Sequence, residues 1–126
     1  MGVRQGVSEI IIYHNPKCSK SCQTLDIIKK NNITPKVKLY LKEQITYTEL
    51  SSILGKLNIH PRQLLRKNEA EYKENNMDNL DLSDKEIIIL MITFPILIER
   101  PIVICKDKAI LGRPPEKVNN IIKYLR

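Results

Sequence analysis

The sequence predicts an α/β fold in which a βαβ half and a ββα half flank a block of helices. Two continuous apolar runs supply the sheet, Ile10–Tyr13 and residues 101–105. Such runs are expected of strands covered on both faces. Between them, Thr46 with Glu49 and Ser83 with Glu86 have the spacing of capping boxes, which open helices.

Asn15-Pro16 breaks the first strand, and a helix follows over residues 18–30. Its expected apolar face is Cys22, Leu25 and Ile28, with Thr24 and Ile27 beside them, and Asn31-Asn32 ends it. Val37, Leu39 and Leu41 alternate with Lys36, Lys38 and Tyr40, the pattern of a second strand with one polar edge. Strand, helix and strand so close together form a βαβ unit, which should be right-handed. The Thr46 helix should run to about residue 57, and Pro61 should begin a short helix through Leu64, Leu65 and Arg66. The Ser83 helix must end before Pro95. After the strand at 101–105, Lys106-Asp107-Lys108 turns the chain into Ala109-Ile110-Leu111 as a hairpin. Pro114 or Pro115 starts a last helix whose apolar face is Val118, Ile121, Ile122 and Leu125. This order is the thioredoxin-like arrangement with a helical insertion, expected as a single domain over 10–126 behind a flexible leader over 1–9.

Length and composition narrow the class. At 126 residues with 42% hydrophobic content the chain suits one globular domain. The longest apolar run, 87–92, is far short of a membrane span, and no signal peptide is visible, so a cytoplasmic location is expected. The net charge of +7 is spread along the chain, and five tyrosines and one phenylalanine provide few stacking platforms. A basic surface that attracts small anions is therefore favoured over a nucleic-acid partner. A monomer is expected, since no long exposed apolar edge is evident.

Cys18, Cys22 and Cys105 are an odd number in a chain with no export signal, which favours free or redox-active thiols over a disulfide framework. They combine with His14 and His60 in no familiar zinc spacing, so no metal is expected. Cys18 stands out. It opens a helix after a strand, between Lys17 and Lys20, and both helix amides and cations favour a thiolate. His14 offers it positive charge or a hydrogen bond. A phosphatase loop would need arginine where Thr24 stands, and a dithiol motif would need cysteine where Ser21 stands. Ser21 either donates a hydrogen bond to the thiolate or simply occupies the first helical turn. Cys22, one turn on, is either a thiol able to resolve an oxidised Cys18 or a small packing residue beside Leu25 and Ile28. Cys105, mid-strand, is expected in the core.

A thiolate acting on an anion needs cationic partners, and arginine binds tetrahedral oxyanions by two-point contacts. Arg66, Arg100 and Arg113 lie where the predicted fold turns inward, although each alone suits a surface charge. Together with His14-Asn15-Pro16-Lys17-Cys18, the segments Leu64-Leu65-Arg66-Lys67-Asn68, Leu97-Ile98-Glu99-Arg100-Pro101-Ile102-Val103 and Gly112-Arg113-Pro114-Pro115-Glu116 carry a resemblance. The chain resembles the glutaredoxin-coupled arsenate reductases of bacteria, and looks closest to a housekeeping branch of that family. The resemblance implies that Cys18 is the nucleophile, that Arg66, Arg100 and Arg113 bind the oxyanion, and that His14 and Ser21 tune the thiol. It also implies a cis Arg100–Pro101 peptide, arsenate as substrate, glutathione as reducing co-substrate, glutaredoxin as partner and no bound cofactor. The founding members carry arginine after the serine, where this chain has Cys22. Two other functions fit the same elements. One is a glutathione-linked or thiol–disulfide oxidoreductase of another substrate. The second is a regulator similar to the Spx transcription factors, which bind RNA polymerase but whose cysteines are separated by two residues rather than three.

Overall fold

The computed structural model describes residues 10–125, so the leader expected over 1–9 lies outside the described residues. These residues fall into two compact units. One holds the chain up to Tyr40 together with Arg100 onward, and the other is Leu41–Glu99.

The first unit is built on a four-stranded sheet of β1 (Ile10–Tyr13), β2 (Lys36–Lys38), β3 (Ile102–Cys105) and β4 (Lys108–Leu111), in the order β2-β1-β3-β4. β1 runs parallel to β2 and antiparallel to β3, with Ile12 opposite both Val37 and Val103. β3 and β4 form the expected hairpin, whose turn places Lys106 at a φ of 58°. β1 and β3 are central, which is why both are apolar throughout. Helix α1 (Ser19–Lys30) joins β1 to β2, and the described chain ends in a helical segment. The core joins Ile10, Ile12, Val103 and Cys105 of the sheet to Ile28 of α1 and to Val118, Ile121 and Ile122. Cys105 is fully buried there, in accord with its expected packing role. The parallel β1–β2 pair, the antiparallel hairpin and their helices make the thioredoxin-like arrangement that the sequence predicts.

Three details of this unit differ from the sequence-based expectations. β2 stops at Lys38, where the chain turns and buries Tyr40, while Val37 of this edge strand is about two-fifths exposed. The final helix is interrupted: a 3₁₀ turn at Pro115–Val118, helix α5 (Asn119–Ile122) and a 3₁₀ turn at Lys123–Leu125 follow one another. Its apolar face is nonetheless the expected one, with Leu125 packed against the same core. The third difference is the face that α1 buries. Ser21, Thr24 and Ile28 are buried, whereas Cys22 is exposed. The reading of Cys22 as a packing residue is therefore incorrect. Apolar periodicity cannot anticipate this, because two of the three buried positions carry hydroxyls that the fold satisfies individually.

The second unit is the predicted helical block. Helix α2 (Tyr47–Leu57) packs against α4 (Asp84–Thr93), burying Leu50, Ile53 and Leu54 of one and Ile87, Ile88 and Met91 of the other. Both capping boxes form, and Asn58 closes α2 in the left-handed conformation at a φ of 56°. The Pro61 helix is a 3₁₀ turn over Pro61–Leu64, shorter than predicted. Leu65 is already extended and bridges Ile98, with Arg66 N–H donating to Leu97 O and Glu99 N–H to Leu64 O. Helix α3 (Ala70–Glu74) has no counterpart in the sequence reading, since it buries no side chain and leaves no apolar period to detect. Among the described residues, no helix is long and apolar enough to cross a membrane.

Candidate functional site at the start of helix α1

The turn that leaves β1 sets the position of Cys18. The Asn15 side-chain oxygen accepts from Lys17 N–H at 3.0 Å, and the Asn15 carbonyl accepts from Cys18 N–H at 3.0 Å. Asparagine is suited to this local bonding, which turns the chain sharply before a helix. Cys18 then occupies the N-cap of α1, with extended backbone at φ −101° and ψ 122°. Its sulfur is in the place where a capping oxygen would meet the free amides of the first turn.

Opposing influences act on that sulfur. Burial pushes the Cys18 pKa up. The backbone N–H of Ser21, a hydrogen bond from Arg100, the Arg100 charge and the N–H of Lys20 push it down, and together they prevail. Cys18 is thus held below the ordinary thiol range while only 8% exposed. A sheltered thiol of lowered pKa beside a guanidinium is the form expected of a nucleophile.

His14 and Ser21 support the same turn from beneath. His14 Nδ1 lies 2.6 Å from Ser21 Oγ, and Asn15 N–H donates to that oxygen at 3.1 Å. The Ser21 hydroxyl is therefore engaged with His14 and Asn15, and Ser21 acts on the Cys18 sulfur through its backbone amide. Burial, aided by the charge of Lys29, lowers the His14 pKa. His14 thus hydrogen-bonds Ser21 rather than the Cys18 sulfur, and its lowered pKa favours the neutral ring.

Arg113 follows β4, and its guanidinium donates to the Arg100 carbonyl at 3.0 Å, which ties the two arginines together. The Arg100–Pro101 peptide is cis, as the resemblance implies, and so is Arg113–Pro114. Arg66 belongs to the second unit. There its Nε donates to Glu69 at 3.0 Å and one terminal nitrogen to Glu99 at 2.7 Å. Against the effect of burial, these two carboxylates raise its pKa further and keep it charged.

Sequence reasoning missed the role of three positions. In the sequence Asn15 reads as a strand breaker and a member of one motif, whereas in the structure its side chain and carbonyl hold the turn at Lys17 and Cys18. Thr24 is fully buried and donates to Lys20 O at 2.8 Å, with Gly112 O at 3.4 Å from the same hydroxyl. Gly112 packs its backbone directly on that threonine. A Cβ there would lie 2.5 Å from Thr24 Oγ1 and 2.8 Å from the Pro101 ring. This close approach brings the segment that carries Arg113 against α1. Gly112→Ala is expected to cost about 1–3 kcal/mol of stability, measured as a lower urea midpoint at unchanged slope. An unaltered midpoint would show that the packing yields without cost. Among the described residues, no group of three His, Cys, Asp or Glu side chains is placed to hold a metal ion.

The chain is similar to known proteins. The model of the ArsC family matches residues 13–121. An arsenate reductase of Haemophilus influenzae is 49% identical over 114 residues, covering 90% of this chain and 98% of that protein. An arsenate reductase of Escherichia coli is 40% identical over 116 residues, covering 92% of this chain and 82% of that protein. The solved structure of an arsenate reductase from Vibrio cholerae superposes with a TM-score of 0.87 at 42% identity, covering 89% of this chain and 96% of that one. With a family match over residues 13–121 and similarity that spans 82% or more of each of these relatives, the chain belongs to the ArsC family.

Proposed function

We propose that this protein is a thiol-dependent arsenate reductase in which Cys18 is the nucleophile. The observation that carries the reading is the Cys18 sulfur at the N-cap of α1, lowered in pKa by helix amides and by Arg100. The names of its relatives indicate arsenate. The Cys18 thiolate attacks arsenic, and a protonated arsenate oxygen leaves as water. A glutathione thiolate then attacks the Cys18 sulfur. The sulfur–arsenic pair returns to arsenic, which departs as arsenite, and a mixed disulfide remains for glutaredoxin to clear. Arg100, Arg113 and Arg66 bind the oxyanion and offset the charge that gathers on its oxygens. His14 and Ser21 hold the turn that presents Cys18.

The test is arsenate-dependent NADPH oxidation coupled through glutathione, glutaredoxin and glutathione reductase. Turnover that requires arsenate and this protein is expected, and its absence would remove the proposal. The part of Arg66 is tested separately. Arg66→Ala should weaken competitive inhibition by a tetrahedral oxyanion such as sulfate, on the order of tenfold for one charged contact. An unchanged inhibition constant would leave Arg66 as the partner of Glu69 and Glu99 alone.

A further inference from the structure

Cys22 is a second thiol on the first turns of α1, and it faces solvent. Its backbone N–H donates to Cys18 O at 3.0 Å, so the two residues are joined by one α-turn. Alpha carbons so related are about 6 Å apart, within the span a disulfide accepts. Side chains on a helix lean back toward its N-terminus, and Cys22 follows this rule: its thiol donates to Pro16 O at 3.2 Å. The sulfur therefore lies over the turn that precedes Cys18. Cys18 itself is extended, at φ −101° and ψ 122°, so its side chain is not bound to the helical direction. Cys105, the remaining thiol, is fully buried in β3 and cannot serve.

We infer that Cys22 is the internal reductant of the cycle, taking the place of the first glutathione. The inference rests on the reading of Cys18 as the nucleophile toward arsenate. Cys22 gives its proton to solvent, and its thiolate attacks the Cys18 sulfur of the thiol–arsenate adduct. A sulfur–sulfur bond forms and the sulfur–arsenic bond breaks, with its electron pair retained by arsenic. Arsenate gains two electrons and leaves as arsenite, and the two thiols are oxidised to a Cys18–Cys22 disulfide. A tethered thiol has the advantage of high effective concentration over a free one. The burial pattern suits this division, because the nucleophile is sheltered while the thiol that an external reductant must reach is exposed.

The experiment supplies stoichiometric arsenate to the fully reduced full-length chain, and to Cys22→Ser, with no other thiol present. Arsenite is measured, together with the mass and peptide map of each protein. The parent is expected to release stoichiometric arsenite and to become lighter by two hydrogens, with a peptide linking Cys18 and Cys22. The serine variant is expected to stay at background until glutathione and glutaredoxin are added, whereupon release recovers. The inference is overturned if the parent reduces arsenate only with glutathione, if the variant matches the parent without it, or if the disulfide contains Cys105. If neither protein reduces arsenate even with glutathione and glutaredoxin, the reading of Cys18 fails and this inference fails with it.

Discussion

Cys18→Ser is expected to abolish arsenate reduction while leaving the fold intact. A serine hydroxyl in the same place is not ionised near neutral pH and cannot form the sulfur adduct. Coupled NADPH oxidation should fall by roughly 10³-fold or more, as for other nucleophile replacements. Residual turnover near the parent rate would place the chemistry elsewhere. The parent also carries a pH signature. Its lowered pKa keeps Cys18 a thiolate below the range of an ordinary thiol, so alkylation by iodoacetamide should persist to lower pH than in the urea-unfolded chain. The sign for stability follows from the same shift. The contribution is full above the unfolded thiol pKa and is lost as pH falls through the lower folded value. Cys18→Ser should therefore have a stability less dependent on pH across that window.

Arg100→Gln is expected to have the second largest effect, acting on both the thiol and the oxyanion. Loss of the Arg100 hydrogen bond and charge leaves burial less opposed at Cys18, so the alkylation midpoint should move up in pH. Activity should fall on the order of 10²-fold or more at neutral pH, the usual cost of removing one donor aimed at developing charge. Arg100→Lys distinguishes charge from geometry. It retains the cation but not the planar fork, so it should restore the alkylation midpoint better than it restores turnover. An alkylation midpoint unchanged in Arg100→Gln would exclude Arg100 as a cause of the lowered pKa.

The legible parts of this protein are those encoded over a few neighbouring residues. β1 and β3 are visible because central strands are apolar on both faces, and α2 and α4 because each capping box is complete within four residues. Cys18 is visible because Asn15-Pro16 must turn the chain before a helix. The buried face of α1 is not legible, for the opposite reason. Ser21 and Thr24 are buried through bonds to His14, Asn15 and Gly112, and the last lies 88 positions away. Polar burial of this kind has no periodic trace. Arg66 shows the same limit: one partner, Glu69, is three residues on, whereas Glu99 is 33 positions distant.

The sequence by itself determined the order of elements and the placement of a cysteine at a helix start. These follow from apolar runs, caps and breakers, which act through the nearest few residues. Only the tertiary structure decided that Arg100 reaches the Cys18 sulfur, that Arg113 is tied to the Arg100 carbonyl and that Gly112 must lack a side chain. It also decided that Cys22 faces water, at the point where the helix turns its hydroxyls inward. The physical reason is common to all four. Each depends on which side of α1 meets the sheet and the β4 turn, and that choice is made by packing and by satisfying buried polar groups across the fold.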